Sequence, residues 1–181
     1  VKGAYWDTEI KRAQERGLSG YPVFTRKAMT DLNFMACAER LLSLRPRIYP
    51  QIATHNALTV ATALEAARDG LADGAPADAG FEFQRLHGMG EALYGELAEI
   101  APRIACRTYA PVGGHRDLLA YLVRRLLENG ANSSFVSMAA DPEVPVESLI
   151  ERPAARVGSP AKAANRRLPL PSALYGKARR N

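Results

Sequence analysis

Hydrophobic and polar positions along the chain follow two alternating rhythms. In residues 31–44, DLNFMACAERLLSL, the side chains Leu32, Met35, Ala36, Leu41 and Leu42 fall near one stripe at helical spacing, with Asp31 as a candidate N-cap. The alanine-rich run 56–70, NALTVATALEAARDG, predicts a second helix, started by Asn56 and closed by Gly70. Residues 90–101 and 115–130 predict two more, the last ending at Gly130. Between and before them, VKGAYW (1–6), IYPQIATHN (48–56), FEFQRLHG (81–88) and RIACRTYAP (103–111) read as short strands.

Strand followed by helix, repeated, predicts a parallel sheet, because parallel strands must be joined by a crossover. Strand starts at 1, 48, 81 and 103 suit the βα units of a barrel or of a doubly wound sheet. No G-x-G-x-x-G follows the first strand, which weighs against a dinucleotide-binding Rossmann unit. Each strand tip carries reactive or aromatic side chains: Tyr5 and Trp6, then Thr54, His55 and Asn56, then Leu86 and His87, then Tyr109. Strand C-termini build the active site of a (β/α)8 barrel, a fold of ~250 residues, so four such units predict half a barrel. The reading is an α/β fold: residues 1–140 as the C-terminal half of a barrel, and 141–181 as a proline-rich, basic linker with one turn at 146–151. Because Val1 falls inside a strand pattern, the chain is expected to be part of a longer protein.

Charge sharpens the division. Of the +5 overall, residues 151–181 carry +7 and the first 150 carry −2. A basic tail of this kind suits either a solvated linker or a contact with nucleic acid or anionic lipid, although it lacks aromatic interleaving. A composition 47% hydrophobic is that of a folded domain, and no apolar run reaches the ~20 residues of a membrane span. Cys37 and Cys106 lack metal-type spacing, so a reduced, intracellular setting is expected.

Several constellations are candidates for chemistry. On the last helix Tyr121, Arg125 and Glu128 share a face, and Arg124 lies four residues before Glu128. Leu118, Leu122 and Leu126 are expected to bury surface beside them. Two adjacent guanidinium forks suit a carboxylate, although spacing alone favours a surface ion pair at a helix end. Thr54 and Asn56 suit an anion or cofactor edge, or simply cap the helix that follows, and His55 suits a metal ligand, a catalytic base or a packing residue. Thr25, Arg26 and Lys27 suit a diphosphate, or form a solvated loop. Tyr5, Trp6 and Tyr109 suit a flat ligand or a core. The three histidines lack metal spacing, and no nucleophile elbow is present, so neither a metal site nor nucleophilic catalysis is expected.

The stretches VKGAYWDTEIKRAQERGLSGYPVFTRK, IYPQIATHNALTVA, FEFQRLHGMGEALY, YAPVGGHRDLLAYLVRRLLENGANSSFV and LPLPSALYG closely resemble the proline utilization A family. These bacterial bifunctional enzymes join proline dehydrogenase to an aldehyde dehydrogenase, and the resemblance runs from Val1 to about Phe135. It implies strands five to eight and the closing helix of a (β/α)8 barrel that holds FAD. The implied reaction is oxidation of L-proline to Δ1-pyrroline-5-carboxylate, with electrons passed to a quinone at the membrane. By the resemblance Arg124 and Arg125 hold the proline carboxylate, Tyr5, Leu86 and Tyr109 wall the ring, and Glu128 completes the helix face. Val1, Gly3, Ala4 and Trp6 are implied flavin contacts, as are Thr54, His55 and Asn56. Thr25, Arg26 and Lys27 match the stretch at the phosphates and ribityl chain, and Ser134 and Phe135 the adenine side. The resemblance further implies a cytoplasmic homo-oligomer that meets the membrane when reduced, with an aldehyde dehydrogenase domain in the same full-length chain. Residues 1–181 alone are expected neither to close a barrel nor to turn over proline. An aldolase-type phosphate barrel is disfavoured, since the lone strand lysine, Lys2, sits at the wrong end. A binding module acting through the basic tail is the alternative from another class.

Overall fold

The computed structural model describes residues 6–69, 80–130 and 134–176. Its elements are α1 (Trp6–Arg16), α2 (Lys27–Leu42), β1 (Gln51–Ala53), α3 (Ala57–Asp69), β2 (Glu82–Leu86), α4 (Glu91–Ile100), β3 (Ala105–Tyr109) and α5 (His115–Gly130). Four short helices or turns follow the short α6 (Phe135–Ala140): α7 (Val146–Leu149), α8 (Pro153–Val157), and 3-10 turns at Pro160–Lys162 and Pro171–Ala173. The chain forms two compact units. One is Met35–Glu151, the other the described part of Gly3–Phe34 with Arg152–Asn181.

The first unit is built on a parallel sheet in the order β1-β2-β3. Ile52 faces Phe83, and the β2–β3 register runs from Glu82 opposite Ala105 to Leu86 opposite Tyr109. Side chains alternate across the pleat. On one face Ile52 and Phe83 are fully buried, and Phe83 meets Phe81 and Tyr94 edge-on at 5.5 and 6.4 Å between ring centres. Tyr94 also donates its hydroxyl to the Thr54 carbonyl at 2.7 Å, so an aromatic of α4 ties down the end of β1. Val60, Ala63 and Ala67 bury the corresponding stripe of α3.

The other face carries a charge where apolar cover is the rule. Glu82 is only 1% exposed. Its carboxylate accepts from Gln51 Nε2 at 2.8 Å, Gln84 Nε2 at 2.9 Å, and the Arg107 fork at 2.8 and 2.9 Å. One side chain thus bonds to all three strands. A buried carboxylate is tolerated only when its lone pairs are satisfied. The Arg107 bonds, helped by the two amides and opposed by burial, pull its pKa down to about 2.

Several expectations are corrected. Trp6 does not end a strand; it opens α1, where Asp7 and Glu9 in the first turn and Arg16 in the last complement the helix dipole and Ile10 and Ala13 are buried. Val1, Gly3, Ala4 and Tyr5 lie outside the described residues. The helix expected from Asp31 begins at Lys27, and Asp31 pairs with Lys27 at 2.6 Å instead of capping. Its buried stripe is Met35, Ala38 and Leu42. The strand read as 48–56 contracts to Gln51–Ala53, with Tyr49 53% exposed. Leu122 and Leu126 are 50% and 73% exposed, so they cover no core among the described residues. Among the described residues after Glu151, α8 and two 3-10 turns form beyond the expected turn at 146–151, and Pro153, Val157 and Pro171 are buried within the second unit.

Two outcomes follow for stability. Phe83→Ala empties a fully buried position and is expected to cost about 3–5 kcal/mol in denaturant unfolding; a loss below about 1 kcal/mol would contradict the assigned core. The depressed Glu82 pKa means that its contribution is complete above about 4.5 and disappears as pH falls toward about 2. Unfolding followed from pH 6 to 2 is therefore expected to lose this increment, with Glu82→Gln flattening the profile. An unaltered profile in Glu82→Gln would show that the carboxylate does not carry it.

Candidate functional site

Parallel strands deliver their C-termini to one edge, and at that edge the first unit gathers most of its candidate residues. Leu86 and Tyr109 are register partners at the ends of β2 and β3. Beyond β1 the chain turns through Thr54, His55 and Asn56. The Thr54 hydroxyl accepts the Asn56 N–H at 3.1 Å, and the Asn56 side-chain oxygen accepts the N–H groups of Leu58 at 2.9 Å and Thr59 at 3.4 Å. The Asn56 side-chain oxygen thus caps the first turn of α3.

His55 reaches across to β2. Its Nε2 accepts the Leu86 N–H at 3.0 Å. A nitrogen that accepts from an amide carries no proton, which leaves the proton of the neutral ring on Nδ1. The pKa of His55 is lowered first by burial, then by the positive charges of Arg125 and Arg85. Geometry and electrostatics agree on a neutral imidazole whose Nδ1–H is a donor. Gly90 makes this placement possible. It sits in the left-handed region at φ 65°, and a Cβ there would come within 3.2 Å of His55 Cδ2.

The two arginines occupy the later part of α5. Arg125 is half-buried, and its guanidinium carbon stands 5.1 Å from the centre of the Tyr121 ring, the cation–π arrangement that i,i+4 spacing allows. Arg124 is exposed. The positive charge of Arg125 contributes to the lowered pKa of His55, after burial. The Glu128 side chain lies outside what the structure describes. Ser134 caps α6, accepting the Ser137 N–H at 3.0 Å, and Phe135 is that helix's first residue.

Other candidates belong to the second unit. Trp6 donates its indole N–H to the Phe24 carbonyl at 2.7 Å. The Thr25 hydroxyl accepts the Asn165 N–H at 2.8 Å. The Arg26 fork donates to the carbonyls of Lys162 and, at 2.9 Å, Arg156. Lys27 pairs with Asp31, an exposed contact worth ~0–1 kcal/mol. These bonds hold the Thr25–Arg26 stretch against the tail beside an open groove of about 580 Å³, lined by Arg26, Lys162, Ala164, Asn165, Arg166 and Arg167.

The sequence reading passed over Gly90, Tyr94 and Arg85 as parts of the site. The two closely spaced glycines in HGMG were the available signal for Gly90. Among the described residues no cluster of three metal-binding side chains forms, and no helix is long and apolar enough to cross a membrane.

Comparison with known proteins supplies the context. The profile of the proline dehydrogenase family matches residues 1–138. The bifunctional PutA proteins of Klebsiella aerogenes and of Escherichia coli (strain K12) are each 50% identical over 191 residues, matching 100% of this chain and 14% of theirs. The chain thus spans 14% of the length of those relatives. Among solved structures, a Bradyrhizobium japonicum proline utilization A variant superposes with a TM-score of 0.90 at 70% identity, over 100% of this chain and 18% of that one. The Bdellovibrio bacteriovorus protein, inactivated by N-propargylglycine, gives 0.77 at 38% identity, over 86% and 16%.

Gly90→Ala is expected to destabilise the protein by about 1–2 kcal/mol, the cost of a side chain in the left-handed region, and to displace the His55 ring. Thermal unfolding together with the His55 imidazole NMR resonances checks this; unchanged stability and unchanged resonances would contradict the close approach.

Proposed function

The chain belongs to the proline dehydrogenase family, and from that premise we propose that it supplies strands five to eight and the closing helix of a (β/α)8 barrel that oxidises L-proline to Δ1-pyrroline-5-carboxylate. The observation that carries the proposal is the pairing of Leu86 with Tyr109 at the end of a parallel sheet whose neighbouring His55 feels the charge of Arg125.

In this reading Arg124 and Arg125 bind the proline carboxylate by charge-assisted bonds, and Glu128 completes their helix face. Leu86, Tyr109 and Tyr5 exclude water from the ring and orient its reactive carbon. The Tyr121 ring beneath Arg125 supports the clamp by restricting the guanidinium. FAD fits the donor set. His55 offers an Nδ1–H, and Arg26 lines a groove whose cations suit a diphosphate. The residues that would hold the cofactor are Val1, Gly3, Ala4, Trp6, Thr54, His55 and Asn56 for the flavin, with Glu128 beside them; Thr25, Arg26 and Lys27 would hold the phosphates and ribityl chain, and Ser134 and Phe135 the adenine side. When bound, FAD would supply the acceptor for the hydride leaving the carbon next to the ring nitrogen. Neutral His55 would add no charge of its own there, a state favoured first by burial and then by Arg125 and Arg85.

The complete protein is proposed to pass electrons to a quinone at the membrane surface, to carry an aldehyde dehydrogenase domain, and to act as a cytoplasmic homo-oligomer. Residues 141–181 would then lie between the two catalytic domains.

Arg125→Met in the full-length protein is expected to raise KM for proline about ten- to a hundredfold, since a charge-assisted bond is worth ~1.5–3 kcal/mol. Steady-state proline:dye oxidoreductase assays read this directly. A KM equal to that of the parent enzyme would remove Arg125 from the carboxylate site.

A further inference from the structure

The groove in the second unit contains more cationic residues than the Thr25–Lys27 stretch contributes. Four of its six lining residues are basic, and three of those, Lys162, Arg166 and Arg167, come from the tail. No acidic side chain lines it among the described residues. Like charges gathered on one concave surface repel each other, and the arrangement is held by bonds that do not neutralise them. Arg26 spends its donors on the carbonyls of Lys162 and Arg156, and the Asn165 N–H is fixed by the Thr25 hydroxyl. The Asn165 side-chain oxygen in turn accepts the Arg167 N–H at 3.0 Å, turning the chain so that Arg166 and Arg167 both reach the groove. Further along, Tyr21 donates to the Pro169 carbonyl at 2.8 Å and the Ser172 N–H to the Leu18 carbonyl at 3.1 Å, strapping the segment down on its far side. The anchoring uses the Arg26 guanidinium and backbone groups, and the side-chain charges of Lys162, Arg166 and Arg167 take no part in it.

We propose that this groove is a phosphate-binding site, built for a diphosphate or phosphate monoester, and that Lys162, Arg166 and Arg167 are ligands contributed by the tail. A fork and a point charge on one concave surface suit the several oxygens of a diphosphate. Two sources share that chemistry: the diphosphate of the protein's own flavin dinucleotide, and a free phosphorylated metabolite. Only the first rests on the function proposed above. The tail then has a role other than spacing two domains, because its charge completes a ligand site.

The test is titration of the full-length protein with inorganic pyrophosphate, in flavin-bound and flavin-stripped forms, beside the Lys162→Ala/Arg166→Ala/Arg167→Ala variant. Binding that weakens with added salt, and falls at least tenfold in the variant, is expected. If only the stripped protein binds, the groove houses the cofactor's diphosphate; if both forms bind, it serves a free ligand. Absence of binding in both forms, or equal binding by the variant, overturns the proposal. All three side chains belong to exposed residues, and a charge-keeping Lys162→Arg/Arg166→Lys/Arg167→Lys variant that restores binding separates lost charge from lost structure. Pyrophosphate binding does not depend on proline, so its failure is separable from failure of the carboxylate clamp.

Discussion

One buried carboxylate sets the register on which the first unit depends. Glu82 begins β2, takes hydrogen bonds from β1, from its own strand and from β3, and is almost wholly withdrawn from solvent. A slip of one residue in either neighbouring strand would turn Gln51 or Arg107 to the opposite face and strand the charge. That cost makes the observed pairing the one the sheet holds. Four residues further along, the same register delivers Leu86 opposite Tyr109. A polar interaction at one end of the strands thereby decides which side chains meet at the other.

The opposite face does conventional work. Phe81, Phe83 and Tyr94 bury their rings against each other, while the Tyr94 hydroxyl secures the turn after β1. His55 stands at the junction of these constraints. It is fixed by an amide of β2, approached by Gly90, and kept neutral by burial and two arginines. Its ring orientation is thus fixed from several sides.

Much of this was legible in the residues, and the exceptions have physical causes. α3, α4 and α5 lie within two residues of their expected bounds because apolar periodicity and capping signals agree there. β2 and β3 were recognisable as the short stretches FEFQRLHG and RIACRTYAP between helical patterns. Trp6 was misassigned to a strand because VKGAYW is strand-like in composition, whereas the acidic first turn that starts α1 follows it. Glu82 was passed over since an acid in a strand ordinarily marks the solvated face, and only tertiary partners reveal otherwise. The short turns in the tail were not legible because its prolines lack periodicity; Pro153 and Pro171 start short helical turns and become buried. As for the site, the spacing of Arg124 and Arg125 by itself favoured a surface ion pair over a carboxylate clamp. Family resemblance, not periodicity, favoured the clamp.

The central claim is that adjacent guanidinium groups on α5 hold a carboxylate over the strand tips. A crystal structure of the full-length protein with a cyclic carboxylate analogue of proline tests it most directly. The account predicts the carboxylate within hydrogen-bonding distance of both Arg124 and Arg125, with the ring against Leu86 and Tyr109. A carboxylate bound elsewhere, with both arginine side chains directed into bulk solvent, would contradict it.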